Sequence, residues 1–112
     1  MPYSFFPLFS SHLDLAHHYW IQVVKKGDTV IDATCGNGKD ALILARLALD
    51  EEQGHLIGLD IQPEAILRTQ HFLQEHLTEQ AMKKISLIQQ SHAEFPKNVE
   101  HSSVKLIVYN LG

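Results

Sequence analysis

The stretch Asp28-Thr-Val-Ile-Asp32-Ala-Thr-Cys-Gly36-Asn-Gly38-Lys-Asp40 runs from a β-branched apolar segment, through a loop with two glycines, into an alanine- and leucine-rich segment. Residues 28–34 read as a buried strand, because Thr, Val and Ile suit a pleated surface and no polar alternation interrupts them. In the loop 35–39, Gly36 and Gly38 let the backbone turn sharply and expose main-chain N–H groups to a close ligand. From Asp40 onward, Ala41, Leu44, Ala45 and Ala48 share one helical face, with Leu42, Leu47 and Leu49 close by. A helix apolar on most sides is one that packs on a sheet. Strand, tight turn and helix form the first half of a βαβ unit.

The pattern extends in both directions. Upstream, residues 11–26 read as a helix: Ser11 and Asp14 have capping-box spacing, and Leu13, Ala16, Trp20 and Val23 recur on one face. Lys25 and Lys26 suit its negative end, and Gly27 suits the residue after it. Downstream, residues 54–60 read as a second strand. A third helix follows from Pro63 and Glu64, with Ile66, Leu73 and Leu77 on one face. Residues 84–89 and 104–110 read as a third and a fourth strand, and the polar stretch 90–103 between them has no clear assignment. Strands alternating with helices imply an α/β fold with a parallel sheet and right-handed crossovers. In such sheets ligands lie beyond the carboxyl ends of the strands. The informative positions are therefore 32–38, 60–62, 90–94 and 110–112.

The chain has 112 residues, 45% hydrophobic and 20% charged. That is ordinary globular composition and room for a single domain over 1–112. A formal net charge of −4 gives no global basic field for a polyanion, although a local patch could serve. Cys35 is the single cysteine, so no internal disulfide can form. With no signal-peptide pattern in the aromatic N-terminus and no membrane-length apolar run, a cytoplasmic location is expected.

Two features bear on chemistry. Gly36-x-Gly38-x-x-Ala41 fits the dinucleotide fingerprint, although a glycine turn can serve structure alone. Asp60 ends the second strand about twenty residues beyond Gly38, where a carboxylate accepts hydrogen bonds from ribose hydroxyls; it could instead cap the third helix. Both fit a nicotinamide dinucleotide or S-adenosylmethionine. Three details favour the latter: a helix before the first strand, Asp32 at that strand's end, and Asn110 at the end of the fourth strand. Asp32 can order the loop or, directly or through water, meet an ammonium group. The alternatives are an NAD(P)-binding oxidoreductase domain and a non-catalytic nucleotide-binding module.

The segments Asp32-Ala-Thr-Cys-Gly-Asn-Gly-Lys-Asp40, Gly58-Leu-Asp-Ile-Gln62, Ser91-His92 and Tyr109-Asn-Leu-Gly112 resemble successive motifs of the bacterial rRNA-methylase-like family. Its members are class I S-adenosylmethionine-dependent methyltransferases. They include the transfer-RNA enzymes that complete 5-methylaminomethyl-2-thiouridine at the wobble position. The resemblance implies a Rossmann-like sheet with strand order 3-2-1-4 in this part, the cofactor S-adenosylmethionine, and an RNA substrate, most specifically the aminomethyl group of a tRNA wobble uridine. Asp32, Thr34, Gly36, Asn37 and Gly38 would lie around the methionine part of the cofactor. Asp60 would hold the ribose, Ile61 and Gln62 would sit beside the adenine, and His92 would lie at its edge. Asn110 would lie near the transferring methyl and position the acceptor. Family members continue past the Asn-Leu-Gly motif, so this chain resembles their N-terminal part. The expectation is an incomplete acceptor pocket, and a fourth-strand edge open to self-association.

Other constellations point elsewhere less strongly. His12 and His17, like His71 and His76, are five apart, which does not place two metal ligands on one helix face. Hydrogen-bonded or solvated histidines are expected, and no metal site. Cys35 sits in the glycine loop with no histidine near it in sequence, so it reads as a small buried thiol rather than a nucleophile. Tyr3, Phe5, Phe6 and Phe9 could stack on bases but more simply cover a sheet edge. Lys25, Lys26, Lys83 and Lys84 could meet phosphates but read as solvated charges at element ends.

Overall fold

The computed structural model describes residues 12–91 and 104–109. Along the chain these form α1 (His12–Val23), β1 (Thr29–Asp32), α2 (Lys39–Ala48), β2 (His55–Asp60), α3 (Pro63–His76), α4 (Glu79–Met82), β3 (Ile85–Gln89) and β4 (Val104–Val108). The four strands are parallel and ordered β3-β2-β1-β4, the order expected for a class I methyltransferase sheet. The register pairs Asp32 with Gly58 on one side and with Val108 on the other, and Asp60 with Gln89. β1 and β4 therefore end level with each other, β2 and β3 run two residues further, and the loops that follow the four strands share one rim.

The central strands β1 and β2 bury both faces, which is why they read as continuous apolar runs. Val30 and Leu56 point to the face that carries Trp20, Val24, Ala41, Leu44, Ala45, Ala48 and Leu73. Ile31, Ala33, Ile57 and Leu59 form the core of the opposite face with Ile88, Val104 and Ile107. Leu44, Leu56 and Leu73 are fully buried, and each contributes roughly 1.5–3 kcal/mol by leaving water.

Two local differences from the sequence pattern have physical causes. The first helix stops at Val23, short of Lys26, because Asp28 competes for the chain: its Oδ2 accepts the Lys25 N–H at 2.8 Å, and its own N–H reaches the Lys25 carbonyl at 3.0 Å. Gly27, at φ +98°, then serves this turn rather than a helix end. The short helix α4 was absent from the sequence reading, although Thr78 starts it with a side-chain cap, its Oγ1 accepting the Ala81 N–H at 3.1 Å. Ser11 and the aromatic residues Tyr3 to Phe9 lie outside the described residues, as do residues 92–103 and 110–112. Among the described residues no helix is long and apolar enough to cross a membrane.

Candidate functional site

The loop between β1 and α2 is fastened to the sheet by main-chain bonds. Ala33 N–H donates to the Val108 carbonyl at 2.8 Å, Cys35 N–H to Leu59 at 3.0 Å, and Gly38 N–H to Cys35 at 2.9 Å. Asn37 is exposed, and its Oδ1 accepts the Lys39 N–H at 3.1 Å, one of the donors left over at the start of α2.

The two glycines do different work. Gly36 has φ +59°, and a Cβ placed there would meet nothing within 4 Å, so its bare backbone faces open space. Gly38 has φ +91° and is buried; a Cβ there would stand 3.1 Å from Thr69 Cα and 3.3 Å from the Phe72 ring. Gly38 thus lets α3 pack behind the loop, whereas Gly36 presents the face a ligand can approach. The sequence pattern gave both the same role. A third glycine, Gly58 in β2, makes room for the loop: a Cβ there would be 2.6 Å from Cys35 Sγ and 2.7 Å from Leu87 Cδ2.

Asp60 ties the two strand ends together. Its Oδ2 accepts the Gly36 N–H at 3.1 Å and its Oδ1 the Gln62 N–H at 3.0 Å. It therefore shapes the turn into α3 without capping that helix, whose N-cap is Gln62. An ionised carboxylate has about four acceptor positions, so two stay open after these bonds. Next to it, Ile61 is 63% exposed, an apolar side chain held out at the rim.

Asp32 is the unusual group. Its side chain is fully buried; Oδ1 accepts the Thr34 N–H at 3.2 Å, and Oδ2 has no hydrogen-bond partner. Burial pushes its pKa up to about 7, offset in part by the Thr34 N–H and reinforced by the charges of Asp40 and Asp60. A buried carboxylate oxygen without a donor is costly, and such groups concentrate at functional sites. It fits a cationic partner. Cys35 is buried with its thiol toward the Asp32 carbonyl, and burial drives its pKa far up, so it has no thiolate to offer as a nucleophile.

Two contacts were not legible in the sequence. His17 of α1 meets Asp40 of α2, Nε2 to Oδ1 at 3.0 Å, with its ring against Trp20. Thr69 of α3, fully buried, places Oγ1 3.5 Å from the Gly36 carbonyl. Each pair joins residues more than twenty apart, which no local spacing announces. A third such contact joins neighbouring strands, His55 Nε2 to Ser86 Oγ at 2.9 Å, whereas His76 bonds within its helix, Nδ1 to the Phe72 carbonyl at 2.8 Å.

At the amino ends of the strands lies a cavity of about 300 Å³ lined by Lys26, Arg46, Glu51 and Lys84 among others. The ammonium of Lys26 caps the Arg46 and Leu49 carbonyls and that of Lys84 the Glu51 carbonyl, so these cations close helix and loop ends. The glycine loop is at the other end of the sheet.

A family model described as a methyltransferase domain matches residues 24–111. The chain belongs to this methyltransferase-domain family. The Arabidopsis thaliana protein described as a chloroplastic tRNA (mnm(5)s(2)U34)-methyltransferase is 35% identical over an alignment of 103 residues that covers 88% of this chain and 38% of that protein. A Clostridium thermocellum structure described as a "putative rRNA-methylase" is 39% identical, with a TM-score of 0.69 over 79% of this chain and 45% of that one. A Streptococcus mutans structure, described as a "putative methyltransferase" in complex with SAH, is 29% identical, with a TM-score of 0.76 over 91% of this chain and 52% of that one. The chain thus spans about two-fifths of the curated relative and about half of the solved ones. Of the site residues expected from sequence, this methyltransferase domain brings Asp32, Thr34, Gly36, Asn37, Asp60, Ile61 and Gln62 to one rim, with Gly38 behind it. His92 and Asn110 lie outside the described residues.

Proposed function

We propose that this domain binds S-adenosylmethionine at the β1 and β2 ends and serves a methyltransferase that acts on RNA, specifically on the aminomethyl group of a tRNA wobble uridine. The observation that carries the cofactor reading is the buried, unpartnered Oδ2 of Asp32 beside the open backbone of Gly36, with Asp60 closing the other side. A dinucleotide has no ammonium to offer Asp32; S-adenosylmethionine has one on its methionine part. Asp32 then pairs with that ammonium, directly or through water, and regains the ionised state that burial alone disfavours. Thr34, Gly36 and Asn37 flank the methionine part, and Gly38 sets the loop's position. The two open acceptor positions of Asp60 take the ribose hydroxyls, and the exposed Ile61, with Gln62, gives the adenine an apolar rest. His92 is assigned to the adenine edge and Asn110 to acceptor positioning.

Bound cofactor supplies a methyl group already activated by a sulfonium. The protein has to hold an uncharged amine in line with it, a contribution mainly of orientation. The RNA assignment rests on the resemblance and on the descriptions of the plant and Clostridium relatives. A reducing compartment, the cytoplasm, suits a chain whose one cysteine is a buried free thiol. The test is a mass-spectrometric nucleoside profile of tRNA from cells with and without the encoding gene. Loss of the gene should leave the wobble uridine at the aminomethyl stage, and its return should restore the methylated form. An unchanged profile refutes the substrate assignment.

A further inference from the structure

We infer that Thr69 is a positioning residue for the cofactor loop: its hydroxyl, acting from α3, holds the Gly36 peptide in the orientation that faces the cofactor. This rests on the cofactor reading above. Thr69 and Asp32 are the two fully buried polar side chains among the described residues. Thr69 is in the middle of α3, where an apolar residue would serve packing as well. Its Oγ1 lies 3.5 Å from the Gly36 carbonyl, and its Cα and Cγ2 lie 3.1 Å and 3.3 Å from the point where a Gly38 side chain would begin.

Gly36 is therefore gripped from both sides. Its N–H donates to Asp60 Oδ2 at 3.1 Å, and its carbonyl accepts from Thr69. These two bonds fix the peptide planes on either side of a residue at φ +59°, a conformation that glycine leaves readily because it has no steric preference for it. Asp60 belongs to the rim and would also meet the ligand. Thr69 is walled off behind Gly38 and would act on the ligand only through the loop. Its hydroxyl thus reduces the ordering that binding must otherwise supply, which is preorganisation of a site by a group that does not touch the ligand.

The experiment compares Thr69→Val, which removes the hydroxyl at nearly constant volume, with Thr69→Ser, which keeps it and removes the methyl. Binding of S-adenosylhomocysteine is measured by calorimetry, and exchange of the Gly36 amide by NMR, on chains whose melting shows them folded. Thr69→Val should weaken binding about two- to threefold, the low end for a hydrogen bond as long as 3.5 Å, and speed Gly36 amide exchange by a similar factor. Thr69→Ser, which keeps the hydroxyl, should match the parent in both. Weakening by Thr69→Ser alone, or equal behaviour of all three chains, overturns the inference and leaves Thr69 a packing residue. If the parent chain itself binds no S-adenosylhomocysteine, the cofactor reading fails, and the Gly36 exchange rates still decide whether Thr69 holds the loop.

Discussion

Replacing Asp32 with Asn should make the protein more stable and worse at binding its cofactor. The carboxyl is fully buried, one oxygen has no donor, and burial holds its proton to about pH 7 instead of the ordinary 3.8. The sign follows from linkage: the folded chain binds this proton more tightly than the unfolded one, so the stability it confers is complete below about pH 4 and is lost as pH rises through 7. At pH 8 the ionised form costs the fold about 4 kcal/mol relative to a carboxyl left in water. Asn keeps an oxygen for the Thr34 N–H but places an amide where Oδ2 stood, and an unpaired buried donor costs about 1–3 kcal/mol. The net gain at pH 8 is then about 1–3 kcal/mol, a rise of roughly 4 °C or more in melting temperature for a chain this size. At pH 4 the sign should reverse, the variant being less stable by about 1–3 kcal/mol, because the wild-type carboxyl is then protonated and the cost of the unpaired amide remains. Melting followed by circular dichroism at a series of pH values gives the comparison, and the wild-type-minus-variant difference removes other titrating groups. His55 is one of these: burial lowers its pKa, so it costs stability as pH falls below about 6.5. A difference curve flat from pH 4 to 8, or a variant less stable at pH 8, would refute the account of Asp32 as a stored electrostatic cost. The cost is retained because the same carboxylate is needed for the cofactor's ammonium, so Asp32→Asn should also weaken S-adenosylhomocysteine binding at least tenfold, the loss of one charged hydrogen bond.

Further outcomes follow from the same geometry. Gly36→Ala should fold at a cost of about 1 kcal/mol for its φ of +59°, since its Cβ meets nothing, yet lose cofactor binding; Gly38→Ala should lose more stability, because φ is +91° and Thr69 Cα also stands 3.1 Å away. Denaturant titration and calorimetry on both variants separate the two roles, and identical behaviour contradicts the division. Asp60→Ala should cost at least about tenfold in binding, since it removes ribose acceptors and frees the Gly36 N–H; unchanged affinity would end the ribose assignment. Gly58→Ala should destabilise by about 1–3 kcal/mol through overlap with Cys35 and Leu87, and adding Cys35→Ala should recover part of that loss in a denaturant melt. Finally, β4 pairs with β1 on one side, and no described strand pairs with its other edge, so light scattering should show concentration-dependent self-association through it. A monomer at high micromolar concentration contradicts that expectation.

The strands and the rim on which they end were legible in the sequence, because buried parallel strands are written as short β-branched runs and the first two end in an aspartate; the sheet order followed from the family resemblance. Asp32 and Asp60 stand one at each strand end, and the glycine loop sits between them. What stayed hidden depends on contacts between elements. Gly36 and Gly38 look alike in sequence, and only the approach of Thr69 and Phe72 from α3 separates them. The unpartnered state of Asp32 depends on what surrounds it in space. The first helix was read too long because the side chain of Asp28, which draws the chain out of the helix, lies beyond the periodic segment. Gly58 appeared only as part of a motif, and its reason, the Cys35 thiol packed over it, is tertiary.

On this proposal the rim formed by Asp32, Gly36 and Asp60 is a site for S-adenosylmethionine rather than for a dinucleotide. Calorimetric titration of the chain with S-adenosylhomocysteine and, separately, with NAD tests it most directly. Saturable one-to-one binding of S-adenosylhomocysteine is expected, weakened at least about tenfold in Asp60→Ala, with no binding of NAD at the same concentrations. Binding of NAD at least as tight as that of S-adenosylhomocysteine, or no binding of S-adenosylhomocysteine by the folded chain, would contradict it.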